Sequence, residues 1–465
     1  MLDLTGCENL RRIPVNLIAS LKKLEELLIG DKSFKGWDVV GCDSAEGINA
    51  SLTELNSLPH LAVLSLKIPK VECIPRDFVF PSLLKYDIVL GNPSLRTRLI
   101  LLREAKYPIS TRLCLGNISA TSLNAKTFEQ LFPTVSQIGF SNVEGLENIV
   151  LSSDQMTTHG HGSQKDFLQR LEHVEVAACG DIRTLFPAKW RQALKNLRSV
   201  EINHCNSLEE IFELGEADEG SSEEKELPLL SSLTELQLSW LPELKWIWKG
   251  PSRHVSLQSL NHLELWYLSK LTFIFTPSLA QSLIHLETLR IEYCRGLKHL
   301  IREKDDEREI IPESLRFPKL KTLSISDCDK LEHVFPVSVS PSLLNLEQIK
   351  ITFADNLKQI FYSGEGDALT RDGIINFPRL RELSLSCCSF FGPKNFTAQL
   401  PSLQELTIKG HQELSNLLTQ LHVRPLYFST YFFLFNLNCQ MQYIDQISYF
   451  FLQIKYFYFI YKKFY

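Results

Sequence analysis

Residues 320–336 read LKTLSISDCDKLEHVFP. The apolar side chains fall at Leu320, Leu323, Ile325, Cys328, Leu331 and Val334, with gaps of three, two, three, three and three. An amphipathic helix repeats about every 3.6 residues and a half-buried strand every second one, so neither accounts for the whole run. The same frame returns at 171–187, LEHVEVAACGDIRTLFP, and at 197–212, LRSVEINHCNSLEEIF. It continues in LTELQLSWLPELKWIW, LNHLELWYLSKLTFIF, LETLRIEYCRGLKHLI, LEQIKITFADNLKQIF, LRELSLSCCSFFG and LQELTIKGHQELSNLL. The residue opening each inner apolar pair is Val174, Val200, Leu236, Leu263, Leu289, Leu323, Ile349, Leu383 and Leu406, at intervals of 26, 36, 27, 26, 34, 26, 34 and 23. A pattern L-x-x-L-x-L-x-x-C recurring in this way is a leucine-rich repeat.

The frame predicts an α/β solenoid, with parallel strands on a concave face and loops and short helices on the convex face. In each x-L-x-L-x segment the two apolar side chains point inward and the flanking residues outward. No coil can bury its apolar face alone, so stability comes from stacking on neighbours. Val174 and Val176, Leu263 and Leu265, and Leu323 and Ile325 are expected inside. Glu175, Glu264 and Ser324 are expected to face out between them. Phe186, Phe212, Trp248, Phe275, Phe335 and Phe361 recur near the repeat ends and read as an internal ladder. AKWRQAL after Pro187 and PSLAQSL from Pro277 read as short outer helices, proline suiting a helix start.

The chain has 465 residues and a net charge of −5, with no long basic stretch, so bulk attraction to nucleic acid is not expected. Six of its eleven cysteines, Cys7, Cys179, Cys205, Cys294, Cys328 and Cys388, occupy one repeat position. They read as packing residues rather than a disulfide framework, which fits a reducing, cytoplasmic setting. MLDLTGCENL has neither the basic start nor the apolar run of a signal peptide. Leu2, Leu4, Cys7, Leu10 and Ile13 already lie in the frame with no polar cap before them, so the sequence reads as beginning inside a solenoid.

Residues 1–150 form a first section of looser repeats, and 151–166 a polar, mobile loop. Residues 167–421 carry the regular repeats. Three insertions at 213–228, 302–317 and 363–376 read as solvated excursions. Residues 422–465 lose the frame and hold a dense aromatic tail. Its apolar runs are broken by Asn436, Asn438, Asp445, Gln453 and Lys455, short of the ~18 residues a membrane span needs. No membrane span is therefore expected, and the tail reads as lying outside the fold.

The stretches LDLTGCENLRRIPVNLIASLKKLEELLIG (2–30) and LTELQLSWLPELKWIWKGP (233–251), with the C-x-x-L-x-x-I/V-F endings, resemble the repeat region of plant coiled-coil-type nucleotide-binding leucine-rich-repeat disease-resistance proteins. The resemblance covers about residues 1–421. It implies a cytosolic immune receptor whose repeats sense a pathogen effector or guard a host protein and restrain a nucleotide switch. The sequence contains no G-x-x-x-x-G-K-[ST] loop to cradle phosphates, so nucleotide binding is not carried over and no cofactor is expected. The alternatives are a substrate-receptor repeat protein of a ubiquitin ligase, which would need an F-box helix set, and an extracellular receptor ectodomain. An enzyme is not expected, because no nucleophile, base and orienting group share a readable spacing.

Candidate partner-binding residues come from the outward strand positions. The middle column reads Glu175, Glu201, Gln237, Glu264, Arg290, Ser324, Lys350, Ser384 and Thr407. It is either a graded binding surface or an ordinary solvated sheet. Beside it run His204, Trp240, Tyr267, Tyr293 and Phe353, with Trp266 adjacent. These rings either bind a partner protein or pack on one another at the rim. His159 and His161 lack further ligands nearby in sequence, so no metal site is expected. Cys387 and Cys388 fit one rim and one buried position.

Overall fold

The computed structural model describes residues 1–422 apart from 31–33, 35, 39–48, 94–109, 150–167, 216–227, 252–253, 303–314, 355, 364–373, 387–390, 394–395, 410–416 and 418–419. The polar loop at 151–166, the centres of the three insertions, His159, His161, Cys387, Cys388 and the tail after His422 lie outside the described residues.

Each x-L-x-L-x segment is a strand, and the strands stack in parallel. One fifteen-stranded sheet runs in chain order from Leu2–Asp3 to Glu405–Lys409. The register holds the frame in phase. Leu323 pairs with Leu289 on one side and Ile349 on the other, and Leu263 pairs with Leu236 and Leu289. The sheet does not break at residues 150–167, because Gln137–Glu144 pairs directly with His173–Ala177. This is a leucine-rich-repeat solenoid.

The inward positions make the core. Leu320, Leu323, Ile325, Cys328, Leu331 and Val334 all expose no more than 2% of their surface, as do their counterparts at 171–185 and 197–211. Each such aliphatic side chain contributes about 1.5–3 kcal/mol by leaving water. The odd spacing of the frame therefore marks one full turn of chain around a dry interior.

The turn after each strand has its own device. Ala178, His204, Trp240, Tyr267, Tyr293, Asp327 and Phe353 follow successive strands with φ between 52° and 57°, in the left-handed region. The backbone N–H of Tyr267 donates to the Glu292 carbonyl at 3.0 Å and that of Tyr293 to the Ser326 carbonyl at 2.9 Å, which extends the parallel ladder by one bond. The left-handed residue then aims its successor inward. In four coils that successor is cysteine. The Sγ of Cys179, Cys205, Cys294 and Cys328 donates to the carbonyl two residues back, at 3.5, 3.5, 3.5 and 3.3 Å. Cys7 departs from the expected packing role. It is exposed, because its strand has a neighbour on one side only.

Burial pushes the Cys179 thiol up to about 11 and the Cys205 and Cys328 thiols up to about 12. Their reactive thiolates are therefore scarce near neutrality. Iodoacetamide at pH 8 is expected to label Cys7 within minutes and to leave Cys179, Cys205, Cys294 and Cys328 untouched until denaturant is added. Peptide mass mapping checks this, and prompt native labelling of those four would contradict their buried placement.

The back of the solenoid holds more strand than the sequence suggested. The expected short helices are present at Pro277–Gln281, capped by the Thr276 hydroxyl, and as a 3-10 segment at Ala188–Leu194. Three further short parallel sheets join them: Thr184–Phe186 with Glu210–Glu213 and Trp246–Lys249; Phe273–Phe275 with His299–Ile301, His333–Pro336 and Gln359–Tyr362; and Ile374–Asn376 with Thr397–Gln399 and Leu421–His422. The internal aromatic residues are all buried, yet their ladder is interrupted. Phe186, Phe212 and Trp248 stack at 5.3 and 5.1 Å with interplanar angles of 10° and 5°. Ile301 then takes the rung beside Phe275, and rings resume with Phe335 and Phe361 at 6.5 Å.

Candidate functional site

The outward face of the long sheet presents three columns of side chains, set by the alternation of each strand. The parallel register aligns Glu175, Glu201, Gln237, Glu264, Arg290, Ser324 and Lys350 in the middle column, as the sequence frame requires. Their environments differ.

Glu175 is a correction to the expected surface. It is only 2% exposed. It pairs with Gly139 on one side and with Glu201 on the other. The Glu175 charge acts on the Cys114 thiol, one strand beyond Gly139, together with Asp87, Arg112 and Lys67. Glu175 thus belongs to a covered charge cluster in which Arg112 Nε lies 3.3 Å from Asp87 Oδ1. Ser324 is also buried, its short side chain lying between the long ones of Arg290 and Lys350.

The accessible part of the column begins at Glu201, which is half-buried, and runs through the exposed Lys350 to Ser384 and Thr407, both half-buried. At its centre Arg290 Nη1 donates to Glu264 Oε1 at 2.9 Å, and His262 Nε2 lies 3.1 Å from the same oxygen. Ion pairs this open to solvent contribute roughly 0–1 kcal/mol, so the pair fixes geometry more than it stabilises the fold.

The neighbouring rim carries the aromatic residues. His204 stacks on Trp240 at 5.5 Å, Trp240 on Tyr267 at 3.9 Å, and Tyr267 on Tyr293 at 4.4 Å, with interplanar angles of 15°, 15° and 2°. These rings occupy the left-handed turn positions, which glycine and asparagine normally fill. Holding an ordinary L-residue there costs about 1–2 kcal/mol, and each ring pair returns about 0.5–1.5 kcal/mol. Within the stack His204 and Trp240 face solvent, Trp240 with 45% of its surface, while Tyr267 and Tyr293 are half-buried; Phe353, outside the stack, is 59% exposed. Trp266 lies inside the rim rather than on it, half-buried with its Nε1 enclosed.

The structure therefore brings Trp240, Tyr267 and Tyr293 into one stack beside Glu264, Arg290 and Trp266. Glu201 lies at one end of the stack, Lys350 two coils beyond the other, and Glu175 is excluded. Sequence reasoning missed Asp327, which occupies the same rung between Tyr293 and Phe353. Its signal was available: Asp327 precedes Cys328 as Tyr293 precedes Cys294. Among the described residues no group of three or more His, Cys, Asp or Glu could hold a metal ion, and no helix is long and apolar enough to cross a membrane.

Residues 142–295 and 297–421 match the sequence profile of the family described as plant disease resistance protein RPS2-like, leucine-rich repeats. Disease resistance protein At4g27190 of Arabidopsis thaliana is 23% identical over 259 residues, which are 46% of this chain and 26% of that protein. The matched part thus spans about a quarter of that relative's length. Among solved structures, a chain of the TLR13–ssRNA13 complex aligns with a TM-score of 0.25 and 13% identity, covering 86% of this chain and 70% of its own.

Proposed function

Because the chain belongs to the RPS2-like leucine-rich-repeat family of plant disease resistance proteins, we propose that it is the protein-recognition region of a cytoplasmic immune receptor. In this reading it is a non-catalytic sensor. It contacts a pathogen effector or a guarded host protein, and it works with a nucleotide-binding switch of the coiled-coil class. The observation that carries the reading is the partly exposed stack His204–Trp240–Tyr267–Tyr293, held at left-handed turn positions beside the Glu264–Arg290 pair. Strained residues held in one rigid array are a common mark of a functional surface. Large amphipathic rings flanked by charge are the usual anchors of interfaces, each worth about 2 kcal/mol or more when truncated. Neither sequence comparison favours the ubiquitin-ligase alternative.

The test separates binding from folding. Tyr267→Asn removes the central ring and places a tolerant residue at φ +56°. Relief of backbone strain offsets the lost stacking, so the melting temperature should move little. Pull-downs from infected and uninfected leaf extract are expected to recover proteins with the native chain and to lose them with Tyr267→Asn. Equal recovery by a folded variant would show that the stack is rim packing alone.

A further inference from the structure

The aromatic stack has one missing rung. His204, Trp240, Tyr267, Tyr293, Asp327 and Phe353 occupy equivalent left-handed positions on consecutive coils, and only Asp327 among the last five is not aromatic. Its backbone keeps the shared turn, with the N–H donating to the Thr352 carbonyl at 3.0 Å. Tyr293 therefore lacks a ring partner on its far side, and Phe353 lacks one on its near side. The result is a slot one coil wide with an aromatic residue on each wall and a carboxylate on the floor.

The dimensions are specific. Adjacent strands lie about 4.8 Å apart, so the two walls stand about 9.6 Å apart at the backbone. The ring centroids along the stack are 5.5, 3.9 and 4.4 Å apart, so the rings keep roughly to the strand spacing. One planar group needs about 3.5–4 Å to each wall, and two would not fit. The floor is anionic. Asp327 Oδ2 accepts a hydrogen bond from the Ser326 hydroxyl at 2.5 Å, and no cation among the described residues pairs with the carboxylate. Asp327 is close enough to be the largest influence on the Tyr293 hydroxyl, whose pKa its charge holds up. Of the nearby bases, Arg290 is engaged with Glu264 and Glu292, and Arg295 with Asp329.

We infer that the Tyr293–Asp327–Phe353 slot receives an arginine side chain of the protein partner, its guanidinium lying between the two rings and bonding to the Asp327 carboxylate. Guanidinium meets each requirement. It is planar, weakly hydrated, always charged and able to stack on both faces, whereas the compact, strongly hydrated lysine ammonium is none of the first two. Cation–π contact with each wall and a charge-assisted bond to the floor act together. The empty rung also explains the exposure of Phe353, which has no ring to pack on at that side.

The inference rests on reading this rim as the recognition surface, but its probe tests the slot alone. Saturation-transfer difference NMR with the purified full chain would use acetyl-Gly-Arg-Gly-amide, with the lysine and citrulline peptides as comparators. Citrulline keeps the shape of arginine without its charge. The arginine δ-CH2 signal is expected to saturate, with affinity roughly tenfold above citrulline and at least about threefold above lysine. Asp327→Asn, nearly isosteric, and Phe353→Ala, at an exposed position, should each reduce arginine affinity at least about threefold. Equal binding of citrulline or lysine overturns the proposal, as does an arginine signal unchanged in either folded variant. Absent peptide binding alongside Tyr267-dependent capture of a leaf protein overturns the slot and leaves the surface. Slot binding without Tyr267-dependent capture overturns the surface reading and leaves the slot.

Discussion

Replacing Leu323 by Asp is expected to unfold at least three coils rather than one. Leu323 has no exposed surface and is stacked between Leu289 and Ile349. A carboxylate at that point has aliphatic Leu289 and Ile349 on either side. It costs several kcal/mol whether it stays charged or takes up a proton. Repeat proteins derive stability from each coil and its interface with the next, so losing one interior coil removes two interfaces. Hydrogen exchange should show lost protection across Thr288–Glu292 and Gln348–Thr352 together with Thr322–Ser326, while His173–Ala177 stays protected. Loss confined to the mutated strand would show that the coils are energetically independent, contrary to the stacking argument.

Phe212→Ala is expected to lower stability by about 3–5 kcal/mol, the range for removing a large ring from a core. Phe212 is fully buried, and its ring lies parallel to those of Phe186 and Trp248. Its removal breaks both contacts and leaves a cavity against two flat faces that cannot close it. Urea unfolding followed by tryptophan fluorescence should show a clearly lower midpoint. A shift below about 1 kcal/mol, less than the area transfer of the ring alone, would mean that the stack relaxes over the gap.

The fold was legible because its signal is repeated. Any one L-x-x-L-x-L-x-x-C frame is weak, but nine in phase admit little besides stacked coils. The back sheets were not legible. Segments such as Glu210–Glu213 and Trp246–Lys249 have only four residues each, and two adjacent residues in each are buried, so they show no alternation. The candidate site was half legible. The sequence located the outward columns and the aromatic positions but not their conformation, because the left-handed turn is usually announced by glycine or asparagine. Asn117 and Asn142 announce it in earlier coils, whereas Trp240, Tyr267 and Tyr293 hide it. Glu175 was misjudged because alternation gives the direction of a side chain and not what lies over it.

The uneven spine of the solenoid gives it a mechanical grain. Its front is a single hydrogen-bonded ribbon, but behind it Trp246–Lys249 and Phe273–Phe275 belong to separate sheets. There an edge-on contact of Trp246 with Phe273, 5.4 Å between centroids, stands in place of backbone pairing. In front, the same two coils are joined by the full pairing of Glu235–Ser239 with His262–Trp266. Bending that opens the back at this seam breaks side-chain contact alone, whereas bending that opens the front must break a backbone ladder as well.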